Sequence, residues 1–313
     1  MLSLISLGGT ISMTSDKNGA LPSLNAQDLA KEFKDIRAIT FSNIASPNIT
    51  FSMLLELLEL AKEEVNKGSK AIIITQGTDT LEESAFFIQS LWKSKIPIVF
   101  CAAMKHSSQL GSDCLANIND AIITAKSAIN KDLGVLCVLN SCIHSANFIH
   151  KSNTFSLDTF TSFDFGLVGK VIEGKAYFYK DNIKRYLFNS PKKISKKVGL
   201  LKLCLDCDDD ILEYYLNNYD ALVFSGYGAG HLMQRHMKYI KNIKKPLIMA
   251  SRCESGKTGF NTYAYLGAEI SLRENGVIMS AFISDVKARI LTLLALENNI
   301  DLKELFTKDN IIF

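Results

Sequence analysis

The fold is decided by the stretch that opens the chain, Met1-Leu2-Ser3-Leu4-Ile5-Ser6-Leu7-Gly8-Gly9-Thr10-Ile11. Its run to Leu7 contains no charged residue, as expected of a strand buried on both faces of a parallel sheet. Two glycines and a threonine follow at once, and glycine lets a backbone approach a ligand closely. The stretch lacks the basic region and cleavage site of a signal peptide. We therefore predict a first buried strand that ends in a candidate functional loop, in a chain that stays in the cytoplasm.

The same order, a short apolar run and then an amphipathic helical stretch, recurs along the chain and favours parallel βαβ units. In the first part, strands are predicted at Leu2–Leu7, Ala71–Thr75, Ile96–Ala102 and Gly134–Leu139, with helices at about 25–34, 51–67, 80–94 and 112–129 and a hairpin region at 142–180. In the second part, strands are predicted at Val198–Leu203, Ala221–Phe224, Pro246–Ala250 and Val277–Ala281, with helices at 208–217, 231–242 and 284–298. We predict an α/β protein of two domains with mostly parallel sheets flanked by helices. The N-terminal domain, 1–180, is the larger; a polar linker at 181–197 leads to the smaller domain, 198–313.

Composition excludes several classes of function. The chain has 313 residues, 47% of them hydrophobic, and a net charge of only +3 that is spread among interspersed acids and lysines. A nucleic-acid partner is not expected, because the basic residues do not gather into a stripe. No apolar run approaches the ~20 residues that span a bilayer, so no membrane segment is expected.

Seven cysteines are scattered along the chain, and Cys204 and Cys207 are the only close pair. A zinc site would need a second pair or histidines at ligand spacing, and neither follows. We expect reduced, structural thiols, no metal and no organic cofactor.

Two loops that follow predicted strands carry threonines beside glycines: Gly8-Gly9-Thr10 and Gln76-Gly77-Thr78-Asp79-Thr80. Ligands of parallel α/β sheets bind beyond the C-terminal ends of the strands, which favours a site at these loops. Taken singly, each loop also fits an ordinary turn, and the second fits a helix N-terminus with acids on its dipole. A threonine nucleophile needs a base, and a lysine such as Lys151 is one candidate among several.

Several segments resemble the signature segments of the bacterial-type L-asparaginase (asparaginase/glutaminase) family. They are Leu7–Ile11, Thr75–Ala85, Ala102–Lys105, Gly134–Leu136, Lys151–Thr154 and Ser225–Gly230. They span nearly the whole chain in the family's order and spacing. The Gly77–Thr80 segment is quite specific, whereas Gly8–Ile11 is less so alone.

The resemblance implies a set of roles. Thr10 matches the primary nucleophile, and Thr78, Asp79 and Lys151 match a second polar cluster that relays protons. Asp79 would also hold the substrate's α-amino group and Ser46 its α-carboxylate, while the Ala103 carbonyl would face the amide. Backbone N–H groups around Gly9, Thr10 and Thr78 would stabilise an oxyanion. The implied reaction is hydrolysis of L-asparagine to L-aspartate and ammonia.

Glu269 matches an acid that this family contributes from a neighbouring subunit, which implies a homodimer or a homotetramer. The alternative for Glu269 is a solvated glutamate at a helix end.

The chain also departs from the family pattern. The family's loop after the nucleophile often carries a tyrosine that activates the threonine, but no tyrosine occurs between Ile11 and Leu24. Pro47 follows Ser46 where many relatives have a polar residue, and His231 replaces a common asparagine. Hydrolysis of L-glutamine or another amide, or binding of an amino acid without hydrolysis, therefore stays open.

Two further motifs suggest rival functions. Ser251–Thr258 resembles a phosphate-binding loop but has Ser251 where that pattern demands glycine. Gly226, Gly228 and Gly230 resemble a dinucleotide loop but lack its third glycine at the proper position, which is His231. A nucleotide-binding ATPase is therefore disfavoured, and His231 is expected to make local hydrogen bonds.

Overall fold

The computed structural model describes residues 1–17, 19–241 and 243–307. The chain divides into two compact units, Met1–Ser190 and the residues from Pro191 onward. Each unit has its own sheet with helices packed on it. The predicted α/β fold with two domains, the first one larger, is confirmed.

The first unit contains strands β1 (Leu2–Gly8), β2 (Met13–Asp16), β3 (Gly19–Pro22), β4 (Ile36–Ile44), β5 (Ile72–Thr75), β6 (Ile98–Cys101), β7 (Val135–Leu139), β8 (Cys142–Ser145), β9 (His150–Lys151), β10 (Phe160–Thr161), β11 (Gly169–Ile172) and β12 (Lys175–Phe178). Eight of them form one sheet in the order β12-β11-β8-β7-β6-β5-β1-β4. Five neighbouring strands, β7, β6, β5, β1 and β4, are parallel to one another. The sheet continues beyond β7 with β8, β11 and β12, each antiparallel to the strand before it. Strand β1 therefore lies inside the sheet, which explains why all seven of its residues are buried.

Helices α1 (Ala26–Ala30), α2 (Phe51–Asn66), α3 (Leu81–Leu91) and α4 (Cys114–Ala128) belong to the first unit. The Thr50 side chain caps α2 by accepting a hydrogen bond from the Met53 amide at 3.2 Å. Helix α3 ends before Trp92, whose side chain is buried and donates from Nε1 to the Ile96 carbonyl at 2.7 Å.

Two sequence predictions for this unit need correction. The helix predicted at 25–34 is shorter and is confined to α1. A capping box of Asn25 and Asp28 starts it, the Lys31 and Phe33 amides bond to the carbonyl three residues back instead of four, and Asp35, at φ 62°, turns the chain into β4. Strand β4 was not predicted. It lies at the sheet edge with partly exposed residues, so it lacks the continuous apolar run of a central strand.

A buried carboxylate, Glu64, joins α2 to the sheet. Its oxygens accept hydrogen bonds from Ser3 at 2.8 Å, Lys67 at 2.9 Å and Arg37 at 3.0 Å. Burial works to raise the pKa of Glu64, but these hydrogen bonds outweigh burial and leave the pKa lowered. The charged form is thus the one the fold stabilises.

The second unit contains the parallel strands β13 (Val198–Lys202), β14 (Ala221–Gly226), β15 (Leu247–Ser251) and β16 (Ile278–Met279), in that order across the sheet. Its helices are α5 (Asp209–Asn218), α6 (Met237–Ile240), α7 (Glu269–Glu274), α8 (Asp285–Glu297) and α9 (Leu302–Thr307). The helix predicted at 231–242 is wrong in extent. The Leu232 amide bonds to the Gly267 carbonyl and only a 3-10 turn, Gln234–His236, precedes α6; residue 242 lies outside the described residues.

Candidate active site

The two glycine–threonine loops leave the same edge of the first sheet. Ser6 of β1 is paired in register with Thr75 of the neighbouring parallel strand β5, so the loops after the two strands begin at the same height along the sheet. Gly9 has φ 81°, and a Cβ atom built on it would lie 2.1 Å from the Gly77 nitrogen. The two backbones are therefore in contact. Thr10 and Thr78, which follow these glycines, lie on adjoining turns.

Thr10 begins a short 3-10 helix, Thr10–Ser12. The turn is closed by a 2.9 Å hydrogen bond from the Ser12 amide to the Gly9 carbonyl. Ile11 and Ser12 are buried beneath it, whereas Thr10 is partly exposed. The buried neighbours hold the turn in place and leave the threonine accessible.

Lys151 joins the predicted polar cluster. Its Nζ donates to Oγ1 of Thr78 at 2.9 Å and to Oδ1 of Asp79 at 2.7 Å. The Lys151 side chain is only 16% exposed, while the Asp79 side chain is 59% exposed. The ammonium group therefore links a buried hydroxyl to a carboxylate that faces solvent.

A small antiparallel ladder holds Lys151 in this position. Lys151 pairs with Phe160 across β9 and β10, and the next residue, Ser152, donates from both its amide and its hydroxyl to the Thr159 carbonyl. On the other side, His150 Nδ1 lies 3.0 Å from a carboxylate oxygen of Glu82 in the first turn of α3. The strand that carries Lys151 is thus anchored to the helix that follows Thr78.

Ser46 touches the same loop. Its hydroxyl accepts a hydrogen bond from the Asp79 amide at 3.2 Å, and its carbonyl accepts one from the Thr80 hydroxyl at 2.9 Å. Thr80 is the N-cap residue of α3, but its side chain does not cap the helix. The threonine hydroxyl instead binds the segment that contains Ser46, which the capping interpretation of the sequence did not anticipate.

Ala103 follows β6, the neighbour of β5, and is fully buried. Asp113 fixes the turn after it by accepting hydrogen bonds from the amides of Met104 at 3.0 Å and Lys105 at 2.9 Å. Asn117 donates to the Ala102 carbonyl at 2.9 Å and to Asp113. Sequence reasoning missed Asp113 and Asn117, because their contacts join a helix to a loop and leave no local pattern.

Glu269 lies in the second unit, at the start of α7, and is fully buried, so the alternative of a solvated glutamate at a helix end is wrong. Its carboxylate accepts hydrogen bonds from the amides of Thr262 and Tyr263 and lies 3.0 Å from His231 Nε2. Burial works to raise the pKa of Glu269, but these hydrogen bonds leave the pKa lowered. The Tyr265 hydroxyl lies 2.7 Å from the other ring nitrogen of His231, a contact that the sequence did not indicate.

The structure argues against both rival nucleotide motifs. A phosphate-binding loop opens a helix, but the chain after Ser251 runs through turns to α7, and the Thr258 hydroxyl accepts a hydrogen bond from the Ala281 amide at 3.0 Å. Gly226 ends β14, Gly228 and Gly230 lie in a turn closed by the pairing of Tyr227 with His231, and α6 begins only at Met237.

Metal-binding and membrane-spanning features are both absent from the described residues, 1–17, 19–241 and 243–307. No three histidine, cysteine or acidic side chains there are arranged to hold a metal ion. None of the helices in these ranges is long and apolar enough to cross a bilayer.

Two family matches correspond to the two units of the chain. Residues 1–184 match the family described as asparaginase, N-terminal, and residues 197–307 match the glutaminase/asparaginase C-terminal domain. An L-asparaginase of Bacillus licheniformis is 28% identical over 92% of this chain and 93% of its own. A glutamyl-tRNA(Gln) amidotransferase component of Methanobrevibacter smithii is 30% identical over 86% of this chain and 66% of its own.

A solved structure has the same fold. The crystal structure of a probable cytoplasmic L-asparaginase from Campylobacter jejuni superposes with a TM-score of 0.88, at 27% identity, over 98% of this chain and 99% of that one. Fold and sequence together define a hydrolase of the amidohydrolase class. Since the two family matches cover most of its length, the chain belongs to the asparaginase family.

Proposed function

We propose that the protein hydrolyses L-asparagine to L-aspartate and ammonia through an acyl-enzyme on Thr10. The observation that carries this proposal is the contact of Lys151 Nζ with both Thr78 and Asp79, on the turn adjoining Thr10. A weak hydroxyl nucleophile requires nearby groups that move protons, and this cluster supplies them.

The Thr10 hydroxyl attacks the carbon of the side-chain amide, and the C–N bond then breaks to release ammonia. Water attacks the resulting ester and frees aspartate and Thr10. Thr78 and Lys151 transfer protons during these steps. Backbone N–H groups around Gly9, Thr10 and Thr78 stabilise the oxyanion, and donors of this kind contribute about 3 kcal/mol each.

Substrate binding is assigned to the groups around this centre. The Asp79 carboxylate is exposed and takes the α-amino group, and Ser46, next to the Asp79 amide, takes the α-carboxylate. The Ala103 carbonyl faces the amide nitrogen. We further propose that Glu269, held in place by His231 and by the amides of Thr262 and Tyr263, contributes to the site of a second copy of the chain, so that a homodimer or homotetramer in the cytoplasm is the active form.

The test is ammonia release by the purified protein from L-asparagine and from L-glutamine under the same conditions. A higher kcat/KM for L-asparagine supports the assignment. A higher kcat/KM for L-glutamine would identify the protein as a glutaminase instead, the second candidate, which is supported by its similarity to the amidotransferase relative. Binding of either amino acid without ammonia release would contradict the catalytic roles and identify an amino-acid-binding homologue.

A further inference from the structure

Cys204 and Cys207, in the second unit, flank a tight turn that none of the roles above uses. The turn follows β13, and its central residues, Leu205 and Asp206, point away from the core: Leu205 is 93% exposed and the Asp206 side chain 81% exposed. Asp206 has φ 55°, the positive value that a type II turn requires at its third residue. The two cysteines are therefore the first and fourth residues of a β-turn.

This geometry matches the requirement of a disulfide. A β-turn brings the Cα atoms of its first and fourth residues within about 7 Å. A disulfide spans Cα atoms that are about 4.4 to 6.8 Å apart. Both cysteines are free thiols in the structure.

Contacts from outside the turn hold its two ends. The Tyr227 hydroxyl donates to the Cys204 carbonyl, and Arg235 donates to the Cys207 carbonyl at 2.7 Å. His236 Nε2 lies 3.2 Å from the same Cys207 carbonyl. The turn is therefore preorganised by groups other than the thiols, so closing the ring requires little further ordering of the chain.

The two thiols differ in access. Cys204 is exposed, whereas Cys207 is only 4% exposed and packs in the core of the second unit. Burial raises the pKa of the Cys207 thiol, and the nearby Cys204 thiol adds to this shift. Cys204 is thus the thiol that an external reagent meets first, and Cys207 is placed to react with it afterwards.

We propose that Cys204 and Cys207 form a thiol–disulfide exchange site for small uncharged disulfides. The Cys204 thiolate attacks one sulfur of the reagent, which breaks its S–S bond and releases one thiolate. Cys207 then gives up its proton and attacks the Cys204 sulfur, which releases the second thiolate. The two released thiolates take up the two protons that the cysteines have lost and leave as thiols. Two protein thiols are oxidised, the reagent disulfide is reduced to two thiols, and the Cys204–Cys207 disulfide remains. An uncharged reagent avoids the mixed charges beside the pair, where Arg235 binds Asp206 and Asp209 while Asp208 and Asp210 are exposed.

The test uses the full chain and 2-hydroxyethyl disulfide as the probe. After reaction and alkylation of the remaining thiols, trypsin yields the peptide 203–235, which contains these two cysteines and no other. We expect this peptide to lose two hydrogen atoms and to escape alkylation, and reduction to reverse both changes. Retention of two alkylatable thiols in the peptide, at probe concentrations that modify the exposed Cys253, would overturn the proposal.

Three variants separate the steps. Cys207→Ser should stop at a stable mixed disulfide on Cys204, and Cys207→Ala gives the same readout if the serine variant folds poorly. Cys204→Ser should leave Cys207 unmodified. The matched control, Cys253→Ser, alters another exposed cysteine and should form the Cys204–Cys207 disulfide as the wild type does. A disulfide between Cys253 and either Cys204 or Cys207 in the wild type would contradict the assignment. None of these readouts depends on amide hydrolysis.

Discussion

Gly9 and Gly77 are in backbone contact, with room for no side chain between them. A Cβ atom on Gly9 would lie 2.1 Å from the nitrogen and 2.2 Å from the Cα of Gly77. This contact sets the separation of the two turns that carry Thr10 and Thr78.

Gly9→Ala tests this contact. The new methyl group must push the two turns apart, so we expect a loss of stability and a drop in kcat of about 10²-fold, as for a misplacement of about 1 Å. Chemical denaturation and ammonia release measure the two effects. Gly68→Ala is the matched control, since Gly68 has φ 96° with open space around it and should lose only about 1–2 kcal/mol of stability from backbone strain. Equal behaviour of the two variants would show that the glycine contact is unimportant.

Thr10→Ala should lower kcat by about 10³-fold or more, because it removes the proposed nucleophile. Thr10→Ser retains a hydroxyl and should keep measurable turnover. Thr50→Ala is the control: it removes a threonine hydroxyl that caps α2, so it should cost about 1 kcal/mol of stability and leave ammonia release unchanged. Wild-type turnover by Thr10→Ala with every amide tested would refute the nucleophile assignment.

Lys151→Met should lower kcat by about 10²- to 10⁴-fold, the range for loss of an acid–base group. Lys151→Arg keeps a cation for Asp79 but does not give up a proton, so it should remain inactive. Lys93→Met changes a lysine that binds Asn189 instead and should have wild-type kinetics. If Lys151→Arg were nearly as active as the wild type, Lys151 would only position its neighbours and would not transfer protons.

The participation of Glu269 from a second copy can be tested by mixing two inactive variants. When Thr10→Ala and Glu269→Gln are unfolded and refolded together, a hybrid dimer has one site with both groups intact. Random mixing should restore about a quarter of wild-type activity, because half of the dimers are hybrids with one good site of two. Each variant refolded alone is the control. No recovery, with hybrid dimers demonstrated by mass, would place both groups in one copy or remove Glu269 from the site.

Glu64→Gln should destabilise the first unit by about 2 kcal/mol at neutral pH, since it weakens the charged hydrogen bonds with Arg37 and Lys67, which are partly exposed and can be solvated instead. Because the folded-state pKa of Glu64 is lowered, its stabilisation is present above the unfolded value of about 4.3. The stabilisation is lost as the pH falls through the lowered pKa, so the two proteins should converge in acid.

Urea unfolding at a series of pH values measures the difference between Glu64→Gln and the wild type. The control Glu59→Gln breaks a solvent-exposed pair with Lys62 and should cost under about 1 kcal/mol. A difference between Glu64→Gln and wild type that does not depend on pH would contradict the ionic origin.

The sequence predicted those parts of the fold that leave a local pattern. Strand β1 is one unbroken apolar run, and helix α2 has an amphipathic repeat with a threonine cap, so both were located to within one or two residues. The edge strand β4 has no such run and was missed. Parallel strand order also placed the loops of Thr10 and Thr78 at one edge.

Other features of the candidate site could not be predicted, because they depend on contacts between distant segments. The choice of Lys151 came from family resemblance, since its contact with Thr78 crosses 73 positions of sequence. Burial of Glu269 results from a loop that folds back so that two amides and His231 surround the carboxylate. The contact of Tyr265 with His231 likewise joins residues 34 positions apart.

Trp92 is the only tryptophan in the sequence, and it is buried in the first unit with its indole N–H bound to the Ile96 carbonyl. Selectively excited tryptophan emission therefore follows the melting of the first unit alone, while circular dichroism follows the helices of both units. If the thermal unfolding curves from fluorescence and circular dichroism coincide, the two units unfold in one cooperative transition. If the curves differ, each unit unfolds in its own transition.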